Sequence, residues 1–209
     1  MKVLIAVPCM DSVPSQFAQA LATLGKVDKT VVAFQIGSLI YNSRNDLAAI
    51  AIQQEADFIF WLDSDMVFGS DTLVRMLELY NKGAGDILTG LYFRRVGPFS
   101  PVLFKELWID EEKNAHFSEF DEIPDEPFEV AGCGFGCVLM PTEIAIDVLA
   151  KYGTMFNPIE GTGEDLAFCW RARESGYKIV CDPSIRLGHV GHHVITREFW
   201  ENYKKIQPK

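Results

Sequence analysis

The stretch that decides the fold is residues 58–65, with the sequence FIFWLDSD, in which five large apolar residues precede two carboxylates. A short run that is apolar at every position is typical of a strand buried on both faces of a sheet. A bare carboxylate is costly to bury, so Asp63 and Asp65 mark the point where the chain leaves the sheet. In open α/β sheets ligands bind at this carboxyl edge. The stretch therefore predicts a strand that ends in a ligand-binding turn.

Two β-α units precede this strand. Residues 2–7 (KVLIAV) and 30–36 (TVVAFQI) are short apolar runs. Each is followed by a segment with helical spacing of its apolar residues, at about 12–24 and 41–55. The order β-α-β-α-β with short links predicts parallel strands with right-handed crossovers. We therefore expect an α/β, Rossmann-like fold with a mostly parallel central sheet and helices on both faces.

The rest of the chain continues this pattern. Strands are expected at residues 86–92, 128–141 and 177–181, and helices at about 70–81, 142–152 and 164–175. Residues 110–127 are acidic and poor in aliphatic side chains, which predicts a solvated surface loop. No linker or repeat interrupts the pattern. We expect a single domain over residues 1–193, followed by a C-terminal helical tail over residues 194–209.

Composition narrows the class of protein. The chain has 209 residues, 48% of them hydrophobic, and a net charge of −10. This charge argues against nonspecific nucleic-acid binding, which needs a basic face. No segment resembles a signal peptide, and no apolar run approaches the ~18 residues of a membrane span. The five cysteines form no disulfide pattern, which favours a reducing compartment. Together these features predict a soluble, cytoplasmic protein with no integral membrane segment.

Asp63 and Asp65 are the first candidate site. Mg²⁺ and Mn²⁺ prefer oxygen ligands and often bind one or two carboxylates together with substrate phosphates. The alternative is a turn in which the two aspartates make local backbone hydrogen bonds. The position after a third buried strand favours the metal site.

Two more segments carry candidate chemistry. Glu164 and Asp165 follow a Gly-rich loop at a predicted helix start, where a carboxylate can act as a general base or simply complement the helix dipole. Three of the four histidines, His189, His192 and His193, lie within five positions, which is compatible with a metal ligand or with a surface loop. Arg44 near the start of the second helix is suited to hold a phosphate or to lie on a solvated face.

The order of these motifs resembles that of GT-A-fold glycosyltransferases, in particular the large family-2-like group. An Arg-Asn pair precedes a D-x-D after the third strand, and a Gly-rich strand, a Glu-Asp pair and a C-terminal histidine follow. The resemblance covers residues 1–193 and rests on this order and spacing together. The residues that follow Pro8 depart from the family pattern.

The resemblance implies roles for the acidic motifs. Asp63 and Asp65 would hold a divalent metal, Mn²⁺ or Mg²⁺, and the diphosphate of a nucleotide-sugar. The aspartate of the Glu-Asp pair supplies the catalytic base in inverting members, which corresponds to Asp165 with Glu164 beside it. His189 would complete the metal site, with His192 as the substitute.

The resemblance also assigns the remaining contacts. Pro8, Asp11, Arg44 and Ser64 would lie on the donor side, with Arg44 against the nucleotide. Gly134 and Gly136 match the acceptor-side strand. The processive synthases' Q-x-x-R-W motif is not evident, which implies addition of one sugar at a time. The expected activity is a hexosyltransferase-type transfer from a UDP- or GDP-sugar to an unknown acceptor hydroxyl.

Three other functions compete with this one. Asp63 could be the nucleophile of a haloacid-dehalogenase-type phosphatase, although that motif normally follows the first strand. A sugar-1-phosphate nucleotidyltransferase should have a Gly-rich loop after the first strand, and Pro8 stands there instead. A non-catalytic sugar-nucleotide-binding domain would not need the full acidic set.

The loop at Arg94 and Arg95 is a further candidate for acceptor contacts.

Overall fold

Strands and helices alternate along the chain in the computed structural model, which describes residues 1–37, 39–191 and 194–206. The first half contains β1 (Val3–Cys9), α1 (Ser15–Thr23), β2 (Thr30–Ile36), α2 (Ile40–Gln53), β3 (Phe58–Leu62), β4 (Met66–Val67), α3 (Thr72–Asn81) and β5 (Ile87–Leu91). The second half contains β6 (Leu103–Ile109), β7 (Ala115–Glu119), β8 (Phe128–Glu129), β9 (Gly132–Cys133), β10 (Cys137–Pro141), α4 (Thr142–Tyr152), α5 (Glu164–Glu174), β11 (Ile179–Arg186), β12 (Gly188–Val190), β13 (Val194–Ile195) and α6 (Arg197–Ile206).

The central sheet has seven strands in the order β2-β1-β3-β10-β5-β11-β8. Its strands β1, β2 and β3 are parallel, and β11 is parallel to β5. Strand β10 runs antiparallel to both β3 and β5, and β8 runs antiparallel to β11. The α/β prediction is confirmed, but the sheet is mixed and not mostly parallel in its pairing. Cys137 pairs with Leu62, so the chain enters β10 at the carboxyl edge of β3 and must run back through the sheet.

Helices cover both faces of the sheet, as the alternating strand residues require. Leu4, Ile59 and Trp61 pack with buried residues of α2, α4 and α5 on one face. On the other face, Ile5 and Phe60 pack with buried residues of α1 and α3. Strand β3 is buried at all five positions, which confirms the interpretation of residues 58–62.

Two small sheets flank the carboxyl edge, and both correct the sequence prediction. Strand β7 lies within the expected loop 110–127 and pairs with β6 through Trp108 and His116. The expected single strand over 128–141 is three short strands, β8, β9 and β10. His189 lies in β12, which pairs with β4 and β13, and not in a loop. The pairings of β9 with β6, of β10 with β3 and of β12 with β4 join segments far apart in the chain, and a local pattern does not report such pairing. Strand β7 instead forms a local hairpin with β6.

The C-terminal tail contains α6, whose Trp200 is buried and stacks on Phe93 with the ring centroids 5.1 Å apart. Residues 207–209 of the tail lie outside the described residues, and the division at residue 193 stays a prediction. Among the residues that the structure describes, no helix has both the length and the apolar character to cross a bilayer. All five cysteines are free thiols, and four of them are buried.

Candidate active site

The Asp63–Asp65 segment forms a tight turn between β3 and β4. The backbone N–H of Asp63 donates to the carbonyl of Gly136 (3.0 Å), and that of Met66 donates to the carbonyl of Asp63 (3.1 Å). The N–H of Val190 donates to the carbonyl of Asp65 (2.7 Å). The bond from Met66 closes the turn, and the other two attach it to the Gly-rich segment on one side and to β12 on the other.

A cavity of about 320 Å³ opens at this turn, and we call it the aspartate cavity. It lies beyond the carboxyl ends of β1, β2 and β3, where ligands bind in open α/β sheets. Its lining residues are Pro8, Cys9, Met10, Gly37, Ile40, Asp63, Ser64, Asp65, Arg95 and His189. The predicted residues Pro8, Asp63, Ser64, Asp65 and His189 therefore come together in one cavity, whereas Asp11 is exposed beside it.

His189 and Asp65 face each other across this cavity, with 3.4 Å between Nε2 of the histidine and Oδ2 of the aspartate. The other ring nitrogen, Nδ1, lies 2.9 Å from the carbonyl of Phe93. A carbonyl can only accept, so Nδ1 carries a proton and a neutral His189 presents the lone pair of Nε2 to Asp65. Two electron donors at this distance need a proton or a cation between them.

The charge state of this pair follows from its neighbours. Burial disfavours the imidazolium of His189, but the Asp65 carboxylate and the Phe93 carbonyl outweigh burial and raise the pKa of His189. Burial alone would raise the pKa of Asp65, whereas His189 and Arg95 lower it on balance. The Asp65 carboxylate thus favours a proton on Nε2 of His189.

The donor set at Asp65 and His189 fits Mn²⁺ or Mg²⁺ as a partial site. Two ligands that bind one ion at about 2.1 Å lie roughly 3 Å apart when they are adjacent in an octahedron, close to the observed separation. The Nδ1–H···O=C bond to Phe93 is the usual support for a ligating histidine. Within residues 1–37, 39–191 and 194–206, no group of three or more metal-ligating side chains is present. His192 and His193 lie outside the described residues.

Arg95 is a functional candidate that sequence reasoning assigned to acceptor contacts. Its guanidinium is half exposed, lines the aspartate cavity and forms an ion pair with Asp65. Arg95 therefore contacts a carboxylate of the Asp63–Asp65 turn from the wall of the aspartate cavity. An arginine in an irregular loop has no local pattern that would have revealed this contact.

Arg44 is enclosed behind the same turn, with 2% of its surface exposed. Its Nη2 donates to Oδ1 of Asp63 (2.8 Å), and its Nε donates to Oε1 of Glu164 (3.1 Å). The guanidinium carbon lies 5.7 Å from the ring centroid of Trp61 and 5.5 Å from that of Phe135. Arg44 thus joins the end of β3 to the start of α5, and it does not line the aspartate cavity.

Asp165 lies in the first turn of α5, next to the carboxylate that Arg44 binds. Its Oδ1 accepts the N–H of Leu166 (2.8 Å), and no cation pairs with it among the described residues. Burial, followed by repulsion from Glu164, raises the pKa of Asp165 to about 6. A carboxylate of this pKa remains ionised at neutral pH and is a stronger base than an ordinary aspartate.

Asp165 opens into a second cavity of about 480 Å³, which we call the hairpin cavity. This cavity lies between the β6–β7 hairpin and the loop before α5. Its lining residues are Arg94, Val102, Phe104, Phe117, Gly161, Thr162, Gly163, Asp165 and Leu166. The two aspartates of the turn and the candidate base therefore line different cavities.

Gly134 and Gly136 lie against the ring of Tyr92, and this contact explains why both are glycine. A Cβ at Gly134 would lie 2.1 Å from Oη of Tyr92, and one at Gly136 would lie 2.8 Å from Cζ. The N–H of Gly136 donates to Oη of Tyr92 (3.1 Å), and the Tyr92 ring packs edge-to-face on His189. Tyr92 thus supports both the Gly-rich segment and the histidine, and no sequence motif indicated it.

Comparisons with known proteins support the fold. No protein-family model matches the chain, and no curated protein matches it in sequence. The crystal structure of A197 from STIV matches with a TM-score of 0.68 at 17% identity and covers 94% of each chain. The crystal structure of GalNAc-T7 with UDP, GalNAc and Mn²⁺ matches with a TM-score of 0.61 at 10% identity. That match covers 91% of this chain and 44% of the other.

At these identities the matches establish the fold and not the activity. The chain has an α/β fold with a mixed central sheet, similar to that of a GT-A-type glycosyltransferase.

Proposed function

We propose that the chain is a metal-dependent glycosyltransferase that moves one sugar from a nucleoside-diphosphate sugar to an acceptor hydroxyl. The observation that carries the proposal is the pairing of two neighbouring cavities. One contains Asp63, Asp65, His189 and Arg95, and the other contains Asp165 with its pKa raised to about 6. This division suits a reaction in which the diphosphate of the donor leaves as an anion and the acceptor hydroxyl loses a proton.

On the donor side, Asp65 and His189 would hold Mn²⁺ or Mg²⁺, which supplies positive charge to the leaving diphosphate. Arg95 is paired with Asp65 and has a half-exposed guanidinium, so it can transfer its hydrogen bonds to the diphosphate when a donor binds. Asp63 keeps its contact with Arg44 and positions the turn. Pro8 and Ser64 shape the cavity wall.

On the acceptor side, Asp165 accepts the proton of the attacking hydroxyl. The new bond joins the acceptor oxygen to the anomeric carbon, while the bond from that carbon to the diphosphate breaks. Attack from the Asp165 side, opposite the diphosphate, inverts the anomeric centre. Glu164 is held by Arg44 and leaves Asp165 as the carboxylate without a cation, which favours Asp165 as the base.

The competing phosphatase mechanism needs Asp63 as a free nucleophile. One oxygen of Asp63 instead accepts a hydrogen bond from a buried guanidinium, and burial raises the pKa of this carboxyl. The hydrogen bond from the guanidinium stabilises the negative charge on this carboxylate, and this lowers its nucleophilicity. These observations favour a role for Asp63 in positioning.

A calorimetric titration with UDP and with GDP, with and without Mn²⁺, tests the proposal. We expect binding that depends on the metal and is about tenfold weaker or more in Asp65→Asn. Asp71→Asn is the matched control, because Asp71 is exposed on the start of α3. Equal binding with and without metal, or no nucleotide binding at all, contradicts the proposal, and a phosphatase activity lost in Asp63→Asn supports the competing mechanism.

A further inference from the structure

The hairpin cavity has its own chemistry, which narrows the class of acceptor. We infer that it binds a neutral saccharide, with a sugar ring packed on Phe117 and one hydroxyl directed to Asp165. This inference rests on the proposed function, since it identifies the acceptor of the same reaction. Three features of the cavity support it: an aromatic wall, polar groups at the start of α5, and an arginine that is already paired with a glutamate among the described lining residues.

The aromatic wall is the ring of Phe117 on β7, which is 40% exposed. The buried Phe104 packs edge-to-face on it, with the ring centroids 4.9 Å apart. This contact fixes the orientation of Phe117 and leaves part of its surface open to the cavity. The C–H face of a pyranose ring is apolar and weakly positive, and it packs well on the negative face of an aromatic ring.

Polar groups of the cavity lie on the loop before α5 and at the start of that helix. Thr162 and Asp165 both line the cavity there. The carboxylate of Asp165 can accept a hydrogen bond from a ligand hydroxyl. A sugar offers an apolar face together with hydroxyls around its edge, whereas an alkyl chain would leave Asp165 without a hydrogen-bond donor.

The charge of the cavity favours a neutral acceptor. Arg94 is the basic residue of the lining, and its guanidinium already forms an ion pair with Glu119 (2.9 Å). Asp165 carries a negative charge at neutral pH because its pKa is about 6. A phosphate or carboxylate on the acceptor would meet this charge without a free cation among the described lining residues.

The cavity is also built next to the donor side. Arg94 lines the hairpin cavity and the next residue, Arg95, lines the aspartate cavity, so one dipeptide contributes to both linings. The loop that carries Thr162 is fixed to the hairpin, since the N–H of Ala115 donates to the carbonyl of Glu160 (2.8 Å). Gly161, with φ of +88°, allows this close approach, because a Cβ there would lie 2.8 Å from the Ala115 carbonyl oxygen.

Saturation-transfer NMR with a panel of methyl hexopyranosides and disaccharides tests the inference. We expect at least one glycoside to bind the wild-type chain, and to bind roughly three- to tenfold more weakly in Phe117→Ala and Phe117→Leu. Phe34→Ala is the matched control, because Phe34 is 45% exposed on β2 and lines neither cavity.

Two arms keep the inference separate from the proposed function. Hexose 6-phosphates and short alkanols are titrated in parallel, and tighter binding of either class than of the glycosides overturns the inference. Unchanged glycoside binding in the Phe117 variants, or no glycoside binding, also overturns it. Binding of UDP and GDP with Mn²⁺ is measured on the same samples. If the wild-type chain binds neither nucleotide, the proposed function is overturned, whatever the glycoside result.

Discussion

Replacing Arg44 by methionine removes a buried cation that Asp63 and Glu164 share. Removal of one partner from a buried ion pair costs about 3–5 kcal/mol, because the remaining charge is left uncompensated. The side chains of Asp63 and Glu164 are 29% and 14% exposed, so water reaches both carboxylates. This hydration places the expected loss at the lower end, about 3 kcal/mol at pH 7.

Urea denaturation of Arg44→Met measures this loss as a lower midpoint with an unchanged m-value. Arg186→Met is the control, because Arg186 and Glu198 form an equally close ion pair (2.9 Å) with both side chains at least 60% exposed. A surface pair of this kind contributes about 1 kcal/mol or less. The loss in Arg44→Met should shrink as the pH falls toward 4, since protonation of the orphaned Asp63, whose pKa burial already raises, removes an uncompensated charge.

The double variant Arg44→Met/Glu164→Gln completes the test. It removes one of the two uncompensated charges, so it should recover about 1 kcal/mol relative to Arg44→Met alone. A loss no greater than that of Arg186→Met, or a double variant less stable than the single one, would refute the argument that this guanidinium holds the site together.

The remaining predictions concern Asp165 and the Gly-rich segment. Transfer activity should fall as the pH drops below about 6, where Asp165 becomes protonated. Asp165→Asn should keep metal-dependent nucleotide binding, while its transfer activity falls about 10²- to 10⁴-fold. Folding raises this pKa, so the ionised form of Asp165 destabilises the folded state. The destabilisation is complete above about pH 6 and disappears once the pH is below about 4, where Asp165 is protonated in both states. Asp165→Asn should therefore be more stable than the wild type at pH 7, by up to about 3 kcal/mol in urea denaturation. Gly134→Ala should lose about 1–3 kcal/mol through the clash with Tyr92, and Tyr92→Phe in the same chain should restore part of it.

Much of the fold was predictable because its signals are local. The five-residue apolar run of β3, the two preceding β-α units and the helix spacing each lie within a short window, and periodicity reports which face is buried. The reversal of β10 was missed because its partner β3 lies far away in the chain. Strand β7 pairs with the neighbouring β6, and it was missed because residues 110–127 are acidic and poor in aliphatic side chains, as a surface loop is. In the candidate site, too, the residues within one short segment were predictable and the contacts between distant segments were not.

The sequence by itself determined that Asp63 and Asp65 stand at the carboxyl end of a buried strand, because apolar residues followed by carboxylates can satisfy burial and hydration only at an edge. The tertiary structure decided which groups meet there. Arg44 reaches a carboxylate 120 positions away, and Arg95 reaches Asp65 from an irregular loop. Contacts of this kind depend on how whole helices and hairpins pack, and that packing brings the aspartate turn and the candidate base into two adjoining cavities.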